Sequence, residues 1–258
     1  MLLAIDIGNT HTVFGLFEKR KLIADWRVSS TVNRTEDEIG AQLKMFFEQS
    51  GIKSKSIDSV GISSVVPDLT EIYELMAKKY FGAQPIIVSA SLNLGFKILY
   101  DDPSTVGADR ICNAVAAYTK YGGPAIIIDF GTATTYDVVS EEGDYLGGVI
   151  APGIETSAAD LHRRAAKLPK IELKFPGKVV GTDTVSSMQS GILYGAVDAM
   201  EGMVKRIKRV IGKHAKVVAT GGYSKIIKEH SDSIEHYEPT LVLRGVQLIC
   251  ERVSKKKN

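Results

Sequence analysis

Two stretches of this chain carry the same chemistry. Asp6-Ile7-Gly8-Asn9-Thr10-His11-Thr12 and Asp129-Phe130-Gly131-Thr132-Ala133-Thr134-Thr135 each set a carboxylate at the end of an apolar run, then a glycine, then small polar side chains. A polyphosphate needs donors close at hand and no bulk in the way. Glycine lets the backbone approach. Asn9, Thr10 and Thr12 offer side-chain donors, and successive turn N–H groups can form an anion nest. A carboxylate repels phosphate directly, so Asp6 would act through Mg²⁺, mostly by way of water. One such loop alone reads as an ordinary tight turn. The second copy, with the same Asp and Gly, argues for a function that a turn does not require. Neither a GxxxxGK[ST] loop nor a GxGxxG after a strand is present. Val217-Val218-Ala219-Thr220-Gly221-Gly222-Tyr223 adds a strand running into a Gly-Gly turn, where a flat base could lie against the backbone or the chain could simply turn.

A further carboxylate opens a helix. Asp109 follows Pro103-Ser104-Thr105-Val106-Gly107 and leads an apolar face through Ile111, Val115 and Tyr118. It could accept a proton from an attacking alcohol, and Arg110 beside it could bind a carboxylate. The same pair also fits an ordinary helix-start acid next to a solvent-facing Arg.

The elements that position these residues follow from periodicity. Leu2–Phe17 and Ala125–Ser140 align at an offset of 123, sharing Ile5/Ile128, Asp6/Asp129, Gly8/Gly131 and Thr12/Thr135. Each reads as a hairpin with a polar tip. In the first half a third strand is expected over Lys21–Val28. A helix over Glu36–Gln49 opens with the capping box of Thr35 and Glu38. Next come a strand at Ser59–Ser64, a helix over Leu69–Phe81 and a strand at Pro85–Val88. In the second half a third strand is expected at Tyr145–Ile150, with helices over Ile154–Ala165 and Ser186–Ile211. A strand at Lys216–Thr220, a helix from Tyr223 and a helix over Leu241–Val253 complete it. The pattern predicts an α/β protein of two related domains, residues 1–115 and 116–258, each a mixed, mostly parallel sheet covered by helices. Gly191, Gly195, Ala199 and Gly202 share one side of the long helix, and suit either close internal packing or a dimer seam.

The bulk composition narrows the partners. The 258 residues carry 24% charged side chains and a net charge of +2, which excludes a large basic field for nucleic acid. Lys255, Lys256 and Lys257 read as a solvated tail. Cys112 and Cys250 sit in apolar helical patterns, as buried free thiols of a reducing compartment do. The apolar start is only five residues long before Asp6, too short for a signal peptide or a membrane span, so the expected location is the cytoplasm. The five histidines are scattered and are assigned no role.

Taken together, these motifs resemble the actin/hexokinase/Hsp70 superfamily, with its duplicated actin-like (ribonuclease H-like) domains and a cleft between them. Within it the chain is similar to type III pantothenate kinases. The resemblance rests on Asp6-Ile7-Gly8-Asn9-Thr10, Gly107-Ala108-Asp109-Arg110, Asp129-Phe130-Gly131-Thr132-Ala133, Gly148 through Ile150-Ala151-Pro152-Gly153, and Thr182–Gly191. It implies ATP-dependent phosphorylation of pantothenate on its primary hydroxyl, the first step of coenzyme A synthesis. It assigns Asp109 as general base and gives Tyr100, Gly107, Ala108, Asp109, Arg110 and Thr184 to pantothenate. Asp6, Ile7, Gly8, Asn9, Thr10, His11, Thr12, Val13 and Thr132 go to ATP, and Asp129 to a monovalent cation, K⁺ or NH₄⁺. It also implies a homodimer with the substrate pocket at the subunit contact. The duplicated loops themselves, if they face each other, could grip the triphosphate from both sides. Three rivals stand beside it. A sugar kinase of the same superfamily would, in the repressor-related type, carry a Cys/His zinc segment that this chain lacks. A silent nucleotide-sensing regulator would be marked by loss of Asp109 or of the first loop, and both are present. A filament-forming actin-like protein would be longer.

Overall fold

The computed structural model describes residues 1–53 and 56–255, so of the lysine run only Lys255 is among the described residues. The chain forms two compact units, one of Met1–Ala116 with the segment from Thr240, the other of Ala117–Pro239.

In the first unit, β1 (Leu2–Ile7), β2 (His11–Glu18) and β3 (Lys21–Ser29) form an antiparallel meander. β4 (Ser59–Ser64) then pairs parallel to β1, and β5 (Ile86–Ile87) parallel to β4. The sheet order is β3-β2-β1-β4-β5. α1 (Glu36–Gln49) and α2 (Pro67–Phe81) supply the crossovers. Both ends obey local chemistry. Thr35 and Glu38 close the expected capping box on α1, and Gly82 ends α2 in the left-handed conformation at φ 64°. Leu3, Ile5 and Ile7 of β1 enter one core with Leu43 and Phe47 of α1 and Tyr73 and Met76 of α2.

The opposite face of that sheet is built differently. Ala4 faces Gly15 on β2 and Gly61 on β4, so a row of small residues crosses three strands. α7 (Leu241–Lys255) lies in this trough. A methyl group on Gly15 would stand 2.8 Å from Leu243 Cδ1, and one on Gly61 would stand 2.4 Å from Cys250 Sγ. The sequence boundary gives the last helix to the second half; the structure packs it on the first, because the missing side chains are there.

The second unit repeats the plan. β6 (Ala125–Phe130), β7 (Ala133–Val139) and β8 (Tyr145–Pro152) form the meander, and β9 (Lys216–Thr220) and β10 (His236–Tyr237) add on in parallel. The order β10-β9-β6-β7-β8 matches the first sheet element for element. Two pairings of four are parallel in each sheet, so both are evenly mixed; the hairpins supply the antiparallel half. α4 (Ile154–Arg164), α5 (Thr184–Ile211) and the short α6 (Ser224–Lys228) lie with this sheet. Leu193, Val197, Met200 and Val204 of α5 pack on Ile126, Ile128 and Phe130. α5 begins two residues before the expected Ser186, because Asp183 caps it by accepting from Ser186 N–H at 3.0 Å. Two-residue β10 carries no alternation and was not expected.

Candidate active site

The first tip is a two-residue turn. Gly8 N–H donates to the His11 carbonyl at 3.0 Å, leaving Asn9, Thr10 and His11 exposed. Ser30 braces it from β3's end, its hydroxyl donating to the Gly8 carbonyl at 2.6 Å and its N–H to the Thr10 carbonyl at 2.9 Å. Thr12 departs from expectation. Its side chain is fully buried and its hydroxyl lies 2.9 Å from that of Ser30, so it braces the turn from within and presents no side-chain donor to a phosphate. Ile7 is likewise buried and Val13 half-buried, and both are paired on either side within the sheet, so they shape the tip from its base. Asp6 stands half-buried at the foot of the tip and accepts from the Ser63 hydroxyl at 3.0 Å.

α3 (Ala108–Tyr121), which belongs to the same unit as far as Ala116, carries Asp109 in its first turn. Arg110 N–H donates to Asp109 Oδ1 at 2.7 Å. Burial outweighs that bond and the Arg110 charge, and holds the Asp109 carboxyl above its ordinary value. Arg110 is only 8% exposed, which removes the solvent-facing role and leaves a cation set inside the protein. Ala108 is buried beside it, Gly107 is half-buried, and Tyr100 is exposed. One turn further along, Cys112 is fully buried and free. Burial first, then the nearby Asp6 and Asp109 carboxylates, push its thiol far up, so it stays protonated in hydrogen-bonding contact with Ser63. Cys250 is held up to about 12 by burial alone. Both thiols are thus buried and free, as expected.

The second unit holds the other tip. Gly131 N–H donates to the Ala133 carbonyl at 3.1 Å, and Thr132 is exposed at the turn. The start of α4 grips this turn from behind. Gly153 N–H and the Thr156 hydroxyl donate to the Thr132 carbonyl at 3.1 and 2.6 Å. Gly221, at φ +89°, lies over Asp129, where an added methyl would stand 2.4 Å from Oδ1. Next to it Gly222 faces open space. Tyr223 is held above its ordinary value by burial and by a contact with Glu155. Thr184 is exposed at the start of α5, in a groove it shares with Leu161, Gly181, Ser187, Met188 and Gly191.

Thus the first unit contains Asp6–Val13, Tyr100 and Gly107–Arg110, and the second contains Asp129, Thr132 and Thr184. Sequence reasoning missed Ser30, Ser63, Gly153 as a wedge, and Thr156. Only Gly153 had a signal, the Pro-Gly before a helix. The histidines mostly pack or bond locally: His230 stacks on Phe175 at 3.5 Å and His236 on Tyr121 at 3.9 Å.

Two sheets of one strand order, each with an Asp-headed hairpin tip, define an actin-like fold made of two repeats. The solved component A of (R)-2-hydroxyglutaryl-CoA dehydratase from Acidaminococcus fermentans has this fold, with a TM-score of 0.56 over 99% of this chain and 98% of that one at 14% identity. A family model described as type III pantothenate kinase matches residues 2–206. Type III pantothenate kinases of Halalkalibacterium halodurans and Syntrophus aciditrophicus are each 47% identical to 98% of this chain, covering 99% and 100% of their own lengths. The chain belongs to the type III pantothenate kinase family.

Proposed function

We propose that this protein transfers the γ-phosphoryl group of ATP to the primary hydroxyl of pantothenate, giving ADP and 4'-phosphopantothenate on the way to coenzyme A. Identity of 47% over nearly the whole chain carries the reading. The Asp109 segment fits it to particular residues.

In the transfer, the pantothenate oxygen attacks the γ-phosphorus, the bond from that phosphorus to the bridging oxygen of ADP breaks, and the hydroxyl proton passes to Asp109. A carboxyl held above its ordinary value is a better base than a free Asp and is still ionised when the pH lies above that value. Arg110 supplies the charge for the substrate carboxylate, and a cation in a buried setting binds it more strongly than one in water. Tyr100, Gly107, Ala108 and Thr184 complete the pantothenate contacts. The exposed turn Asn9, Thr10 and His11, with its side chains and backbone, and Thr132 take the phosphates; Thr12 contributes no hydroxyl.

Asp6 suits Mg²⁺ held through water, and Asp129 suits K⁺ or NH₄⁺. Among the described residues no group of three or more His, Cys, Asp or Glu is placed to hold a metal. A lone carboxylate at each tip fits a cation that keeps its water and phosphate ligands. When bound, Mg²⁺ neutralises charge on the transferring phosphates.

The same reading makes the protein a cytoplasmic homodimer. No described helix is long and apolar enough to cross a membrane. On α5 a methyl group added to Gly191, Gly195 or Gly202 would meet nothing within 4 Å, and Ala199 is exposed on that side. A row of small residues open to solvent suits the seam of a symmetric dimer.

The test is direct: incubate purified protein with ATP, Mg²⁺ and K⁺, with pantothenate or a panel of sugars, and follow products by mass spectrometry. Phosphopantothenate is expected. Sugar phosphates without phosphopantothenate would replace the substrate, and no turnover on any acceptor would favour a regulator.

A further inference from the structure

Ser63 places a hydroxyl where packing alone would put carbon. It is fully buried on β4, between the buried Ile62 and the end of the strand. Its rung on the parallel ladder is shared with Asp6, and its Oγ donates to Asp6 Oδ1 at 3.0 Å. A hydroxyl buried without a partner is costly, and central strand positions otherwise favour Val, Ile or Leu. The second unit repeats the arrangement. β6 pairs with β9 as β1 pairs with β4, and Asp129 shares its rung with Thr220, which is 3% exposed. Two sheets of different sequence thus set a buried hydroxyl residue on the same rung as the loop aspartate. Core filling does not demand that coincidence.

We propose that Ser63 is a positioning residue for Asp6, fixing the carboxylate in the one orientation that serves nucleotide-bound Mg²⁺. This rests on the assignment of Asp6 to that metal. Asp6 leaves the strand at the foot of an exposed tip and has two side-chain torsions to settle. A donor fixed in the sheet at 3.0 Å settles them before any ligand arrives. Ser63 touches neither nucleotide nor substrate in this scheme; it acts only through Asp6.

Calorimetric titration with ADP, with and without Mg²⁺, tests it without turnover. Ser63→Ala is expected to weaken binding of the magnesium complex by about tenfold, the scale of one hydrogen bond to a charged group. Its affinity for magnesium-free ADP stays at the wild-type value. Ser63→Thr, which keeps the hydroxyl, restores the magnesium effect. Should Ser63→Ala not fold, Ser63→Cys keeps the volume, donates more weakly and is expected to show a partial loss. Equal weakening with and without Mg²⁺ marks a merely structural role and overturns the proposal. So does wild-type behaviour of Ser63→Ala while Asp6→Asn loses the magnesium effect, a result that leaves the reading of Asp6 standing. If Asp6→Asn keeps the magnesium effect in full, both assignments fall.

Discussion

Asp109 is held above its ordinary value by burial, against the pull of Arg110 and of a backbone donor. That balance has consequences for rate and for stability. A base must be ionised, so kcat/KM should fall as the pH drops through the raised value, with its acid limb above the ordinary Asp range near 3.9. Asp109→Asn should remove that limb and lower kcat by ~10²–10⁴-fold while ATP still binds, a comparison read from pH–rate profiles and nucleotide titration. Stability moves the other way. A carboxyl whose folded value is raised favours the folded state least once pH exceeds that value, because the unfolded chain then ionises more readily. At neutral pH Asp109→Asn should therefore melt no lower than the parent protein. A melting point well below it, with turnover unchanged, would remove Asp109 from the role of base. Much at this scale was legible. Asp6 and Asp129 stood out because one motif occurs twice; Asp109 opens an apolar helix as an ordinary acid also would, and its role came only from the resemblance carried by Gly107-Ala108-Asp109-Arg110. Ser63 was not legible: a serine in a strand is ordinary, and its partner lies 57 residues away, across a parallel ladder whose register sequence does not reveal.

Elements set where those residues point. The second loop is shaped from behind by the first turn of α4, where Gly153 lies against two carbonyls. A methyl group at Gly153 would stand 2.3 Å from the Gly131 oxygen and 2.4 Å from that of Thr132. Its own φ of −71° suits any residue, so the contact alone demands glycine. Backbone cannot swing aside as a side chain can. Gly153→Ala should displace the loop, cost about 1–3 kcal/mol of stability by overpacking, and raise the KM for ATP more than that for pantothenate. Steady-state kinetics with each substrate varied in turn checks this, and equal effects on both would place the loop outside the nucleotide site. Sequence marked most elements to within a residue or two, because capping boxes and glycine stops are local. It missed β10, whose two residues form a strand only because β9 is there to pair with.

At the scale of the molecule, the open side of α5 bears on assembly. Gly195→Leu should leave the fold intact, since nothing lies within 4 Å of the new side chain's first atom. It should convert the proposed dimer to a monomer, read by light scattering against the parent protein; an unchanged dimeric mass would place the seam elsewhere, and a monomeric parent would remove the dimer. The fate of α7 was the least legible feature. Its apolar stripe would suit either sheet, and only the row of Gly15, Ala4 and Gly61 chooses between them. That row governs how the protein must be made. The first unit stays unroofed on one face while Ala117–Pro239, a continuous stretch, emerges from the ribosome and can close upon itself. Half of the protein begun first is thus finished second. Until the segment from Thr240 leaves the exit tunnel, the bare trough is a surface for chaperones to guard.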